Sequence, residues 1–194
     1  MAGKICVHVR ELSTSQDIND VLTIANEDSR RSVYLSQDDF IAEDKYILVA
    51  EYSERVVGFL VFSLHANRML LRNVAAHFDM RRRGIGSWLM VGLFDLLPQK
   101  KLGFCPSHSR RDALSHLRFR VGNHHCDGID LRVRETNMDA ILFFYVFGFR
   151  ARQVIPNYYR LAGGRLEDAY TMHFRCPRQK VQARMPVNRI SRYL

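Results

Sequence analysis

At 194 residues the chain has the length of one domain, and its 47% hydrophobic content is enough to bury a core, which excludes disorder as the starting point. A net charge of +9 favours anionic partners (a phosphorylated cofactor, nucleic acid, ribosomes or acidic proteins) without choosing among them. No apolar run reaches the ~18 residues of a membrane span, the opening Met-Ala-Gly-Lys lacks the parts of a secretion signal, and Cys6, Cys105, Cys126 and Cys176 form no repeat, so a cytoplasmic protein with free thiols is expected.

Ile5, Val7 and Val9 alternate with polar neighbours as a first strand. Ser13-Thr14-Ser15 offers helix caps, and Ile18, Val21, Leu22 and Ala25 recur at helical spacing up to about Asp28. A shorter helix is expected from Ser36, with Asp38 and Asp39 in its first turn. Residues 46–52 read as a strand, 53–55 as a hairpin turn and 56–62 as the returning strand; a third strand starts near Met69, completing an antiparallel meander. Phe78-Asp79 turns the chain into a helix whose first turn carries Arg81, Arg82, Arg83, Gly84 and Gly86 and which ends before Pro98.

Residues 99–128 are irregular, basic and rich in histidine, with a short helix possible over 112–119; a connection this long reads as a surface insertion. Cys105, His108, Cys126 and one of His124 or His125 are chemically able to hold zinc, but follow no finger spacing, so a solvent-exposed loop is preferred and no metal is expected. Residues 129–134 alternate as a strand, Thr136 or Asn137 caps a helix over 140–147, and Gly148 stops it. Segments 149–155 and 168–175 read as a closing hairpin. Residues 176–194 carry five basic and no acidic residues, a tail outside the core.

Arg81-x-x-Gly84-x-Gly86, lying between a strand and a helix, has the ingredients of a pyrophosphate site: unpaired helix-start amides, glycines that open the backbone, and cations beside it. Alone it is a weak motif, equally read as a solvated Arg-rich helix start with glycines for close packing. Two further stretches add to it: Asn137-x-x-Ala140-Ile141-x-Phe143-Phe144-x-x-x-Gly148-Phe149, and Asn157-Tyr158-Tyr159 followed by Glu167-Asp168-Ala169-Tyr170-x-Met172. With the element order β-α-α-β-β-β-α-β-α-β-β, these motifs resemble the GNAT superfamily of acyl-CoA N-acyltransferases, and within it the bacterial ribosomal-protein N-terminal alanine acetyltransferases. The run Asp39-Phe40, Leu48-Val49-Ala50-Glu51 and Val57-Gly58-Phe59 fits the same branch.

The resemblance implies an α/β (α+β) fold: a mixed, mostly antiparallel seven-stranded sheet with helices on both faces, splayed between strands 4 and 5. It would occupy residues 1–175, apart from the insertion. It implies acetyl-CoA as cosubstrate, its pantetheine arm along the backbone of Val74, Ala75 and Ala76 and its pyrophosphate on Arg81, Arg82, Arg83, Gly84, Ile85, Gly86 and Ser87, with Asn137 also on the arm. The expected reaction is acetyl transfer to a primary amine by direct attack, the favoured acceptor a protein N-terminus and the competitor a small amine. Tyr158 and Tyr159 would orient the acceptor, unless they only pack at a hairpin corner. A monomer or homodimer is expected, with neither nucleic acid nor membrane as the partner.

Two positions depart from the family pattern. Where the resemblance implies a Tyr as general acid, seven residues after Asn137, this chain has Phe144; where it implies a Glu as general base, it has Arg132. Phenylalanine has no proton to give and Arg accepts none at neutral pH. Tyr145, one residue and about 100° further round the helix, and Glu135 are the first surrogates, with His77, Tyr158 and Tyr159 behind them. Alternatively, Arg132 binds the carboxylate or phosphate of an acidic small-molecule substrate, or the chain is a catalytically weak acyl-CoA-binding module. Phe144, with Phe143 and Phe147, also reads simply as core.

Overall fold

The computed structural model describes residues 7–27, 45–97 and 126–176. The expected helix at Ser36, most of the insertion with Cys105, His108, His124 and His125, the basic tail after Cys176, and Cys6 lie outside the described residues.

Among the described residues seven strands form one sheet: β1 (His8–Glu11), β2 (Lys45–Tyr52), β3 (Arg55–His65), β4 (Arg68–Ala76), β5 (Gly128–Arg134), β6 (Arg150–Arg160) and β7 (Leu166–Arg175). Their order is β1-β2-β3-β4-β5-β7-β6, antiparallel throughout except for the parallel pair β4–β5. Helix α1 (Ser15–Asn26) lies on one face; α2 (Ile85–Asp95) and α3 (Met138–Val146) pack into the core of the other. The mixed, mostly antiparallel sheet that the resemblance implied is the sheet observed.

Local chemistry explains the boundaries. Thr14 caps α1 in a capping box: its hydroxyl accepts from the Asp17 amide at 3.0 Å, while the Asp17 carboxylate accepts from the Thr14 amide at 3.1 Å. Arg10 locks the same carboxylate from β1, with contacts of 2.7 and 2.9 Å, and also reaches Glu51 on β2 at 2.6 Å. Ser53 and Glu54 both take left-handed conformations, which suit a two-residue hairpin between twisted strands. The turn is thus shorter than the sequence implied, and Arg55 already belongs to β3. β3 is buried on both faces from Val56 to Ser63 because helices cover it on each side.

Other boundaries shift. Within the described residues the first strand runs on to Glu11, with Val7 and Val9 buried as the alternation required. The three arginines precede α2 rather than forming its first turn. Gly128 pairs in β5, and Cys126 and Cys176 are both buried, with the Cys176 amide donating to the Asp127 carbonyl at 2.9 Å. The end of the insertion and the start of the tail therefore belong to the core. β6 extends to Arg160 as an edge strand, where Pro156 has no ladder bond to lose on the open side.

The site is positioned by what happens between β4 and β5. They pair from Arg68/Gly128 to Leu71/Leu131 and no further. At that point β4 carries a bulge: Val61 faces Asn73 and Phe62 faces Leu71, leaving Arg72 as the extra residue. A bulge bends its strand and sharpens its twist. Beyond it β4 continues through Val74, Ala75 and Ala76 beside β3, while β5 continues to Arg134 beside β7. The sheet opens into a V at its centre.

Candidate active site

At the C-terminal end of β4 the chain makes a 3-10 turn (Phe78–Met80) and enters α2 through Arg81–Gly84. Glu27, at the end of α1, braces this corner: its carboxylate accepts from the Phe78 amide at 3.0 Å and lies 3.1 Å from His77 Nε2. Gly84 is the N-cap residue, with φ +88°, and a Cβ built there meets nothing within 4 Å. The space in front of it is open, and its backbone is one that only glycine adopts without cost. The first bond of α2 runs from the Trp88 amide to the Gly84 carbonyl, so the amides of Ile85, Gly86 and Ser87 precede the helical ladder, at the positive end of the helix dipole.

Gly86 has a different reason. A Cβ there would lie 3.2 Å from the Phe143 ring, so this glycine allows α2 to approach α3. Arg81 lies over the Phe78 ring and bonds the Ala76 carbonyl at 3.4 Å. Arg82, at φ +60°, pairs with Asp139 in the first turn of α3 at 2.8 Å, both side chains being strongly exposed. Asn137 caps α3: its side-chain oxygen accepts from the Ala140 amide at 3.2 Å, and its amide NH₂ remains a donor.

On the sheet face shared with Leu70 and Arg72, a pocket of about 150 Å³ is lined by Leu70, Leu71, Arg72, Arg132, Tyr158 and Tyr159. It sits where the V closes. The two tyrosines arrive through a second irregularity: Ile155 faces Ala169 and Tyr159 faces Glu167, so β6 has two extra residues there. Asp168 holds that bulge, accepting from the amide of Asn157, which is left-handed at φ +54°. The Glu167-Asp168 motif thereby sets Asn157-Tyr158-Tyr159. These tyrosines are strand residues rather than the hairpin-loop residues the sequence implied.

Within the pocket the Tyr159 hydroxyl donates to the Arg132 carbonyl at 3.1 Å. The Arg132 guanidinium donates to the Tyr158 hydroxyl at 3.3 Å and lies over that ring at 5.3 Å. Arg134 lies over the Tyr159 ring at 5.2 Å, and the two rings meet edge to face at 4.9 Å. Burial raises the Tyr159 hydroxyl above its ordinary pKa, so it is protonated at neutral pH.

Arg132, Tyr158 and Tyr159 are thus brought together; Glu135 and Tyr145 do not line this pocket. Glu135 is exposed in the turn after β5. Tyr145 is 55% exposed, its ring 4.3 Å from the Arg150 guanidinium. Phe144 is buried against Phe143 and Phe149, as its core reading implied. Arg72 and Arg134 were not singled out from the sequence. Arg134 had a signal, since it shares a strand face with Arg132 at i+2; Arg72 reaches the pocket only through the bulge.

Known proteins share this architecture. The structure of ribosomal-protein-S18-alanine N-acetyltransferase from Escherichia coli superposes with a TM-score of 0.66 at 20% identity, covering 91% of this chain and 99% of its own. Naa50 of Arabidopsis thaliana, in complex with the bisubstrate analogue CoA-Ac-MVNAL, superposes with a TM-score of 0.61 at 22% identity, covering 88% and 99%. An uncharacterized N-acetyltransferase of Methanocaldococcus jannaschii is 29% identical over 132 residues, 68% of this chain and 67% of that protein. The acetyltransferase (GNAT) family model matches residues 11–107, half of the sequence, and the chain belongs to that family.

Proposed function

We propose that the protein transfers an acetyl group from acetyl-CoA to a primary amine, with a protein N-terminus as the favoured acceptor. The observation that carries this reading is the V between β4 and β5, with open helix-start amides at one end and a pocket of Arg and Tyr side chains at the other. The complex of Naa50 with the bisubstrate analogue CoA-Ac-MVNAL supports CoA and a peptide as the two substrates of this reading.

Acetyl-CoA supplies a thioester whose carbonyl carbon accepts the amine. On this reading the amides of Ile85, Gly86 and Ser87 hold its pyrophosphate, with Arg81, Arg82 and Arg83 adding charge. The side of Val74, Ala75 and Ala76 turned away from β3 bonds the pantetheine arm as a further strand would, and their amides polarise the thioester carbonyl. The Asn137 NH₂ donates to the arm while its oxygen caps α3.

Neither Phe144 nor Arg132 can move a proton in the roles the resemblance assigns to their positions. The transfer we propose therefore rests on positioning, with water and the hydroxyls of Tyr158 and Tyr159 as the route for protons. Loss of general acid–base help costs about 10²–10⁴-fold in rate, which slows turnover without abolishing it. Glu135 and Tyr145, lying off the pocket, are the weaker surrogates.

The test is release of CoA thiol with a peptide carrying a free N-terminus, against the same peptide with that terminus blocked and against small amines. Release with the free peptide alone supports the reading. Release only with small amines moves the acceptor class, and acetyl-CoA binding without release from any acceptor leaves a cofactor-binding module.

A further inference from the structure

Arg132 is an exposed cation with an unusual surrounding. Its guanidinium contacts the hydroxyl and ring of Tyr158, and among the described residues no carboxylate pairs with it. Its fork has five N–H donors, of which the Tyr158 hydroxyl occupies one. The tyrosine ring fixes the plane of that fork at the pocket wall. The strand continues with Arg134 on the same face, about 7 Å further along. Arg72 faces them across the closing point of the V, bonded to the Ser63 hydroxyl at 3.0 Å and close to His65 at 3.4 Å. The remaining lining is Leu70, Leu71 and the tyrosines, so among the described residues the pocket wall has cations and no acid.

We infer that the acceptor is an acidic N-terminus: a peptide whose first or second residue carries a carboxylate, received by the Arg132 fork. Guanidinium and carboxylate match in a planar, two-bond arrangement, and such charge-assisted pairs are the strong ones. The strand spacing of Arg132 and Arg134 matches the spacing of alternate side chains in an extended peptide, which favours a peptide over a single amino acid. The same feature gives the Glu-to-Arg departure a role, since a residue unable to serve as base can select by charge. This inference rests on the transferase reading for the identity of the reacting amine, but binding of the carboxylate is independent of turnover.

The experiment is a fluorescence-anisotropy titration of C-terminally labelled peptides that differ only by Glu or Gln at the first position, and then at the second. The protein is compared as wild type, Arg132→Gln and Arg132→Lys, each with and without excess CoA. At one of the two positions the Glu peptide is expected to bind wild type about 10- to 100-fold more tightly than its Gln partner. That ratio falls to within about twofold in Arg132→Gln and is partly kept in Arg132→Lys, which retains the charge without the fork. Equal binding of Glu and Gln peptides, binding of neither, or a ratio unchanged in Arg132→Gln overturns the inference. So does free glutamate competing as strongly as the peptide. A separate calorimetric titration of CoA keeps the two readings apart: if CoA fails to bind while the Glu preference persists, the transferase reading falls and the acidic-peptide site stands.

Discussion

Gly84 and Gly86 sit two residues apart in one motif, yet the structure gives them different work, and alanine at each separates the two. At Gly84 the backbone is left-handed, φ +88° and ψ 5°, and the added methyl meets nothing. The cost of Gly84→Ala is therefore conformational, about 1–2 kcal/mol, or roughly 2–8 °C of melting temperature for a chain of this size. The loop can relieve it only by rotating the first amides of α2 away from the pyrophosphate. Losing one amide bond to an anion costs about 1.5–3 kcal/mol, so acetyl-CoA should bind about 10- to 100-fold more weakly. At Gly86 the backbone is helical and the methyl meets the Phe143 ring at 3.2 Å. A small ring shift is offset by the gain in helix propensity, up to ~1 kcal/mol, so Gly86→Ala should melt within a few degrees of wild type and keep its affinity within a few-fold. Thermal melts and calorimetry on both variants are the assay. Gly84→Ala matching wild type in both would refute the reasoning, as would Gly86→Ala being the weaker binder.

Two other outcomes are expected. Tyr145→Phe and Glu135→Gln should each leave turnover in the thiol-release assay within about twofold, since both side chains lie off the pocket; a tenfold loss in either would restore it as a proton carrier. Asp17→Asn removes the charge that Arg10 and two α1 cap amides hold, at a cost of about 2–3 kcal/mol. The melting temperature should then fall by about 4–12 °C at neutral pH. The Arg10 hydrogen bonds depress the Asp17 pKa well below the ordinary carboxylate range against an opposing burial effect, so the wild type's advantage is fully present above about pH 4. It fades as pH falls further toward the depressed value; a melting difference that stays constant from pH 7 to pH 3 would contradict this.

What could be read from the sequence was what local chemistry writes. Thr14 and Asp17 make their capping box within four residues, and Gly148, at φ +89°, marks the end of α3. The Arg81-to-Gly86 motif announces a strand–helix junction by composition. The V between β4 and β5 was legible only through resemblance, because it depends on where Arg72 bulges against a neighbouring strand. The resemblance implies a loop between the last two strands for Tyr158 and Tyr159. In the fold they are a bulge in an edge strand, held by Asp168 eleven positions on from Asn157. The Arg10–Glu51 pair spans 41 positions, and no local pattern could have shown it. The departures at Phe144 and Arg132 were visible as letters, but that one ring is buried while the other side chain lies open on a tyrosine needed the packing.

The most direct test of the central claim is calorimetric titration of acetyl-CoA, CoA and pantetheine into the full chain. The account predicts saturable binding of both CoA species with one site per chain, and much weaker binding of pantetheine, which lacks the pyrophosphate that the α2 amides are proposed to hold. Absence of acetyl-CoA binding, or pantetheine binding as tightly as CoA, would contradict it.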